Sequence, residues 1–225
     1  MIDHLILTAV QSECDPFLKL YPKHTPCETQ HQLRIHPLNI GHASVALCVA
    51  GIGTSFTSMV AGTLLSELKP KHLWFSGTCG GISPEVQLGD IVIGTEAFEA
   101  EIQNLNQAFA DTPFEEGLTH PSKQQVPPLI YPADAQLIQQ AQNQYAGNPQ
   151  VHFGKLASSN LFPSPPSLFK TLKEQNTLAI DMETSALYQL GWLMNVPTLA
   201  VRCVSNCLNA EGDDPNISEA TPNEA

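Results

Sequence analysis

The amino-acid sequence predicts a three-layer α/β/α domain. Short apolar runs rich in β-branched residues alternate with helical patterns, which is typical of strands that are buried on both faces and connected by helices. The 225 residues are 42% hydrophobic and 14% charged, so the chain can bury a sizeable core. We expect a single catalytic domain over residues 1–206.

Six runs are predicted to be strands because they are short and apolar. They are residues 4–10, 44–51, 72–77, 90–94, 151–158 and 198–204. A shorter apolar run lies at 178–180.

Two helices are predicted from apolar residues that recur with the helical period. In residues 55–68 the apolar face comprises Phe56, Val60, Leu64, Leu65 and Leu68. In residues 183–194 it comprises Ala186, Leu187, Leu190, Leu193 and Met194.

Two segments lack these patterns. Residues 101–132 are rich in Gln, Asn and Pro, and we interpret them as a long excursion near a ligand pocket or a subunit contact. Residues 207–225 are acidic and poor in large apolar residues, so we expect a disordered tail with no helix that closes a pocket.

The net charge of −12 disfavours nucleic acids and anionic membrane surfaces, since both bind clustered Lys and Arg. The first residues read as a strand rather than a signal peptide, and no apolar run has the length of a membrane span. Six scattered cysteines without a CxxC pair indicate reduced thiols and a cytoplasmic protein. Cys203 and Cys207 are expected to be buried structural thiols rather than half of a metal site, and no metal or cofactor is expected.

Candidate functional residues follow the predicted strands, because α/β sheets bind ligands at the carboxyl ends of their strands. They are Glu13 after the first strand, Asp181 and Glu183 at a helix start, and Asn206 after the last strand. Each also has a structural alternative. Glu13 could favour a helix dipole, Asp181 and Glu183 could cap a helix, and Asn206 could form a turn.

Two glycine-rich segments complete the set. GTCGG at 77–81 is expected to be a loop in which Thr78, Cys79 and Gly80 let a ligand approach closely, although a plain tight turn is the alternative. GIGT at 51–54 lacks the third glycine of a dinucleotide motif, so we interpret it as a strand-to-helix turn.

In their order, these segments resemble one family. AVQSE, GIGT, SGTCGGISPEVQLGDIVIG and AIDMETSALYQLGWLMNVPTLAVRCVSN are similar to the purine nucleoside phosphorylase and uridine phosphorylase superfamily, most closely its methylthioadenosine/S-adenosylhomocysteine nucleosidase branch. The resemblance implies a mixed sheet flanked by helices, a small-molecule nucleoside substrate and a homodimer.

The resemblance also implies roles. Glu13 matches the glutamate that deprotonates the attacking water, as an oxocarbenium-like ribosyl cation requires. Met182 and Glu183 match the pair that packs under the sugar and binds its 2′ and 3′ hydroxyls. Phe162, framed by Ser159 and Pro163, matches the aromatic residue that stacks on the base, and core packing is its structural alternative.

The phosphorylases of this family supply arginines to phosphate, one just before the loop that GTCGG resembles and another after the first strand. Here those positions hold Phe75 and the arginine-free AVQSECD. The sequence therefore predicts a hydrolase that does not use phosphate.

Asn206 departs from the nucleosidases, which carry an aspartic acid there to protonate N7 of adenine. An amide can hydrogen-bond the base but has no proton to transfer at neutral pH. Asn at this position resembles 6-oxopurine phosphorylases and futalosine hydrolases, although futalosine enzymes tend to continue with a Pro/Arg-rich stretch. Asp213 or Asp214 could supply the acid instead, but both read as part of a solvated tail. Two classes stay open, a purine-type nucleoside hydrolase and a nucleoside-binding relative without turnover.

Overall fold

A computed structural model of the protein describes residues 2–102, 129–162 and 164–208. The strands are β1 (His4–Thr8), β2 (Cys27–Glu28), β3 (Arg34–Ile40), β4 (Ala43–Val49), β5 (His72–Gly81), β6 (Ile91–Glu99), β7 (Tyr131–Pro132), β8 (Val151–Ser158), β9 (Thr177–Asp181) and β10 (Thr198–Cys207). The helices are α1 (Gln11–Leu20), α2 (Thr54–Leu68), α3 (Ala135–Gln144), α4 (Pro166–Glu174) and α5 (Thr184–Met194).

The strands form one mixed sheet in the order β10-β6-β8-β9-β5-β1-β4-β3-β2, and β7 pairs with β6. β10 also pairs with β5, so the strands β5, β10, β6, β8 and β9 close into a ring. Helix α1 packs on β1, β4 and β5, while α5 packs on β6, β8 and β10. The predicted α/β class with a mixed sheet flanked by helices is confirmed.

The predicted strands and both predicted helices are present, with boundaries shifted by a few residues. Helix α2 starts at Thr54 after Gly53, whose φ of 95° needs glycine, so GIGT is the predicted strand-to-helix turn. The predicted helical faces are wrong at two positions. Phe56 is 57% exposed and Met194 is 43% exposed, since each lies at the edge of the apolar stripe near a helix end.

The segment GTCGG is a strand rather than the predicted loop. β5 continues to Gly81 because it pairs with β10 as far as Gly81 and with β9 at Gly80 and Gly81. A glycine-rich sequence reads as a turn, but pairing on both sides fixes it as extended backbone.

The last described strand continues to Cys207, one residue past the predicted domain boundary, and the amide of Leu208 donates to the Gly81 carbonyl. The predictions for the tail, including Asp213 and Asp214, concern residues 209–225, outside the described residues. The same is true of residues 103–128 in the predicted excursion. Within the described ranges, no helix is both long and apolar enough to cross a membrane.

All six cysteines are free. Cys203 and Cys207 are half-buried rather than buried as predicted. Cys203 lies on the opposite face of β10 from the buried Arg202 and Val204, and Cys207 is the last residue of the strand. Cys79 is buried, and burial raises the pKa of its thiol.

Candidate functional site

The predicted site residues meet where β5, β9 and β10 lie side by side. Asn206 on β10 is the register partner of Gly80 on β5, and Gly80 is also the partner of Ile180, which precedes Asp181 on β9. Neighbouring strands thus bring together residues that are far apart in the sequence.

Glu13 lies in the first turn of α1, and its carboxylate is held by four donors. Oε2 accepts from the backbone amides of Ala9 (2.9 Å) and Val10 (3.4 Å), the two residues that precede the helix. Oε1 accepts from the amide (2.7 Å) and the hydroxyl (2.9 Å) of Thr78. Glu13 is therefore fixed against β5 rather than free in solvent, and Thr78 is the residue that fixes it.

Asp181 is buried at the end of β9, and protein donors surround it. One oxygen accepts from the Ser158 hydroxyl (2.6 Å) and from the amides of Glu183 (3.0 Å) and Thr184 (3.1 Å). The other accepts from the Thr184 hydroxyl and from Arg202 Nη2 (2.9 Å). We interpret Asp181 as the residue that holds its neighbours in place.

Glu183 precedes α5 and is 4% exposed. Oε1 accepts from the Gly53 amide (2.9 Å), and Oε2 accepts from the Met182 amide (3.3 Å) and from Arg202 Nη2 (3.3 Å). Burial raises the pKa of Glu183, although the Arg202 guanidinium opposes this shift. A carboxylate has about four acceptor positions, so Glu183 can still accept from a ligand. Met182 beside it is half-buried.

Arg202 is a central residue of the site that the sequence analysis missed. It is fully buried on β10, and its guanidinium lies 4.2 Å from the centre of the Phe75 ring. Burial acts to lower the pKa of Arg202, but the carboxylates of Asp181 and Glu183 raise it. An arginine inside an otherwise apolar strand was the available signal, since a buried charge needs a charged partner.

One nitrogen of Arg202, Nη1, is buried and makes no hydrogen bond within the described residues. A Cβ placed on Gly77 would lie 2.7 Å from this nitrogen and 2.9 Å from Glu13 Oε1. The unpartnered guanidinium nitrogen and the Glu13 carboxylate therefore both lie close to Gly77, on the side where a larger residue would carry its side chain.

Asn206 is half-buried and follows the exposed Ser205. The Ser205 hydroxyl lies 3.0 Å from Asn206 Oδ1 and 3.2 Å from the Cys79 carbonyl oxygen. When the hydroxyl donates to Oδ1, the Asn206 NH₂ group is left to donate to a ligand.

Phe162 is 81% exposed, which excludes the alternative of core packing. It lies on the loop after β8, where Ser159 and Asn160 make the hydrogen bonds that fix the chain. Pro163, the other residue predicted to frame it, lies outside the described residues.

The arrangement suits polar chemistry on a small ligand. A carboxylate and a guanidinium N–H converge on one point, a second carboxylate lies nearby, and an exposed aromatic ring stands on an adjacent loop. Among residues with described positions, no group of three or more His, Cys, Asp or Glu side chains is arranged to hold a metal ion.

Comparisons with known proteins agree on the family to which this chain is similar. The sequence pattern of the phosphorylase superfamily matches residues 3–224. A 5′-methylthioadenosine/S-adenosylhomocysteine nucleosidase from Bacillus licheniformis is 31% identical over 175 residues, which cover 75% of this chain and 71% of the relative. The corresponding nucleosidase from Maridesulfovibrio salexigens is 27% identical over 187 residues, 80% of this chain and 76% of the relative.

A solved structure shows the same fold. The Streptococcus pneumoniae MTA/SAH nucleosidase in complex with 8-aminoadenine superimposes with a TM-score of 0.76 at 21% identity, covering 96% of this chain and 89% of that one.

Proposed function

The chain belongs to the phosphorylase superfamily, and on this basis we propose that it is a nucleoside N-ribosyl hydrolase that cleaves the N-glycosidic bond of a purine-type nucleoside. The observation that carries the proposal is that Glu13 Oε1 and Arg202 Nη1, which is unpartnered among the described residues, both lie beside Gly77. Relatives at 27% and 31% identity are methylthioadenosine/S-adenosylhomocysteine nucleosidases, so we propose this substrate class first.

The reaction needs a nucleophilic water, and we place it beside Gly77, between Arg202 Nη1 and Glu13. The free N–H of Arg202 can donate to the water oxygen while Glu13 accepts a proton from it. The water oxygen then bonds to the anomeric carbon while the glycosidic bond breaks with its electron pair moving to the base. The base takes up a proton from solvent, and Glu13 returns to solvent the proton that it accepted from the water, so that the carboxylate is regenerated. The products are the free base and a free sugar.

The sugar and the base have separate candidate partners. Glu183 can accept hydrogen bonds from the ribose hydroxyls, with Met182 packed beside the ring. Phe162 offers an exposed ring on which the base can stack, because its side chain is not used by the core.

Hydrolysis is favoured over phosphorolysis by charge. The chain has only two arginines, Arg34 and Arg202. Arg34 lies on β3, separated from β5 by β4 and β1 in the sheet. Arg202 is already paired with Asp181 and Glu183, and a phosphate dianion at its free nitrogen would meet the Glu13 carboxylate. A neutral water avoids that repulsion.

A second substrate class is favoured by the contact between Ser205 and Asn206. When Oδ1 accepts from Ser205, the Asn206 NH₂ group offers two donors, while Oδ1 keeps one lone pair. The exposed edge of a 6-oxopurine offers two acceptors, N7 and O6, whereas that of adenine offers the N7 acceptor and an N6 donor. A 6-oxopurine nucleoside, including futalosine, is therefore the alternative substrate.

We further propose a homodimer in the cytoplasm. Large apolar side chains are exposed around the start of α2 and the Phe162 loop, namely Ile52 (53%), Phe56 (57%), Met59 (65%), Leu161 (49%) and Phe162 (81%). A second copy of the chain would remove this surface from water. Met59→Glu should shift the protein to monomer in sedimentation velocity, and a dimer that persists would contradict this interface. The six free cysteines suit a reducing compartment.

The test is to incubate the protein with methylthioadenosine, adenosylhomocysteine, inosine and futalosine, with and without phosphate. We expect free base and free sugar at a rate independent of phosphate. Formation of a sugar 1-phosphate would contradict the hydrolase, and binding without release of base would support the alternative of a nucleoside-binding relative.

A further inference from the structure

We propose that Asn160 is a positioning residue, which latches the Phe162 loop to the start of α2 and thereby couples binding of the base to the carboxylate that binds the ribose. The inference rests on the proposed function, since it assumes that Phe162 contacts the base and Glu183 the ribose. Its structural basis is a two-bond contact between Asn160 and Thr54. Asn160 Oδ1 accepts from the Thr54 amide (3.0 Å), and Nδ2 donates to the Thr54 hydroxyl (2.7 Å).

The start of α2 serves both halves of the site. The first amides of a helix have no partner within the helix, so they are available to other groups. The Gly53 amide donates to Glu183 Oε1 (2.9 Å), and the next amide, that of Thr54, donates to Asn160 Oδ1 (3.0 Å). Two consecutive N–H groups therefore hold the ribose carboxylate and the base loop at a fixed separation.

Gly53 is required for this arrangement. Its φ of 95° disfavours any other residue, and a Cβ at this position would lie 2.9 Å from Asn160 Oδ1. A side chain on residue 53 would push the loop away from the helix.

Glu101 anchors the same loop from the other side. Its Oε1 accepts from the Ser159 hydroxyl (2.6 Å) and from the Asn160 amide (3.0 Å). The Ser159 oxygen in turn accepts from the Leu161 amide (3.1 Å). The three residues that precede Phe162 are therefore all held by hydrogen bonds.

Hydrogen bonds rather than packing thus set the position of the Phe162 ring. The ring is 81% exposed in the single chain, so packing against its own chain restrains it little. The loop has two anchors, the Asn160–Thr54 bonds and the Glu101 bonds. Losing the Asn160–Thr54 bonds should release the anchor that links the loop to the start of α2, where Gly53 holds Glu183. The expected result is weaker base binding and a lost connection between base and ribose sites, with the water-activating groups untouched.

The test compares Asn160→Ala and Thr54→Val with wild type. Asn160→Ala removes both bonds of the latch at an exposed side chain, and Thr54→Val removes one bond at a half-buried side chain. We expect KM to rise about 5- to 20-fold, most in Asn160→Ala, while kcat changes less than about twofold. The double variant should be no worse than Asn160→Ala alone, and Thr54→Ser, which keeps the hydroxyl, should keep the wild-type KM. Asn143→Ala, an exposed asparagine on α3, is the matched control and should change neither value.

Calorimetry with free adenine and hypoxanthine separates this inference from the proposed function. Wild type that binds base but releases none from nucleosides would contradict the hydrolase, while weaker base binding by Asn160→Ala would still support the latch. Wild type that hydrolyses nucleosides, with KM and base affinity within about twofold in Asn160→Ala, would overturn the latch alone. Wild type that neither binds base nor releases it from any of the nucleosides would overturn both.

The coupling itself has a direct measurement. In a double-mutant cycle with Glu183→Gln, Asn160→Ala should show an interaction in nucleoside affinity of at least about threefold. Additive losses would mean that the two halves of the site bind independently.

Discussion

Gly77→Ala should remove activity by filling the space in which we place the water. The added Cβ would lie 2.7 Å from Arg202 Nη1, 2.9 Å from Glu13 Oε1 and 3.0 Å from Glu13 Cδ. Contacts below 3.0 Å are essentially never found for a Cβ, so one of these groups must move. Neither is the free end of a flexible side chain, because Glu13 has four donors and Arg202 is paired with two carboxylates.

The expected losses of stability and of kcat follow from the contacts of Glu13 that Gly77→Ala would disturb. Moving Glu13 loses hydrogen bonds to Thr78, and because Thr78 is exposed, each bond contributes only about 0.5 to 1.5 kcal/mol to stability. A displaced general base and an excluded water should lower kcat by about 10² to 10⁴. We therefore expect a folded protein with a modest loss of stability and a large loss of turnover.

The assay is kcat for the best substrate together with urea unfolding of the same preparations. Gly62→Ala is the matched control, because its Cβ would meet nothing closer than 4.0 Å and a helical Ala is favoured over Gly by about 0.5 to 1 kcal/mol. This control should keep full activity. If Gly77→Ala retains kcat within about threefold of wild type, the water does not lie above Gly77 and the assignment of Glu13 is wrong.

The remaining predictions concern the site carboxylates, the amide and one histidine. Glu13→Gln should lower kcat by about 10² to 10⁴ with little change in nucleoside affinity, whereas Glu183→Gln should weaken both, and equal losses of affinity would contradict these roles. Asn206→Asp should raise kcat/KM for methylthioadenosine, because a carboxylic acid can protonate N7 of adenine, and lower it for inosine, because an ionised carboxylate repels O6 of hypoxanthine. Changes in kcat/KM below about twofold on both substrates would show that residue 206 does not contact the base. Burial, and then the nearby His72, lower the pKa of His4, whose Nδ1 accepts from Trp74 Nε1 (3.0 Å). As the pH falls below about 6.5, the unfolded chain therefore binds a proton at His4 that the folded chain excludes. The free energy of unfolding should therefore decrease between pH 7 and 5, and the decrease should be smaller in His4→Gln; an equal decrease in both proteins would contradict the assignment.

Local pattern was enough to predict the framework of the fold. Apolar runs and helical spacing depend on residues close together in the chain, and the structure places strands and helices where those patterns occur. The pattern failed at GTCGG, where pairing with β9 and β10 overrides the preference of glycine for turns. It also failed at Phe56, where the apolar stripe meets the surface.

The candidate site was predictable only where a residue follows a strand. Glu13 and Glu183 could be found in this way, and so could Asn206 because the apolar run ends before it, although β10 itself continues to Cys207. Arg202 could not, because it lies inside the apolar run and its partners are on other elements. The bonds between Thr54 and Asn160 join residues 106 positions apart, a contact that spacing in the sequence does not indicate.

The closed ring of strands has a consequence for solubility. A sheet edge exposes unpaired N–H and C=O groups to which other chains can add, and natural sheets limit this risk with short edge strands. Because β10 returns to pair with β5, none of the five ring strands ends the sheet as a long open edge within the described residues. The edge at the far end is β2, which has two residues and carries Glu28. We therefore expect the native protein to resist edge-to-edge aggregation, and variants that loosen the contact between β10 and β5 to aggregate before they lose secondary structure.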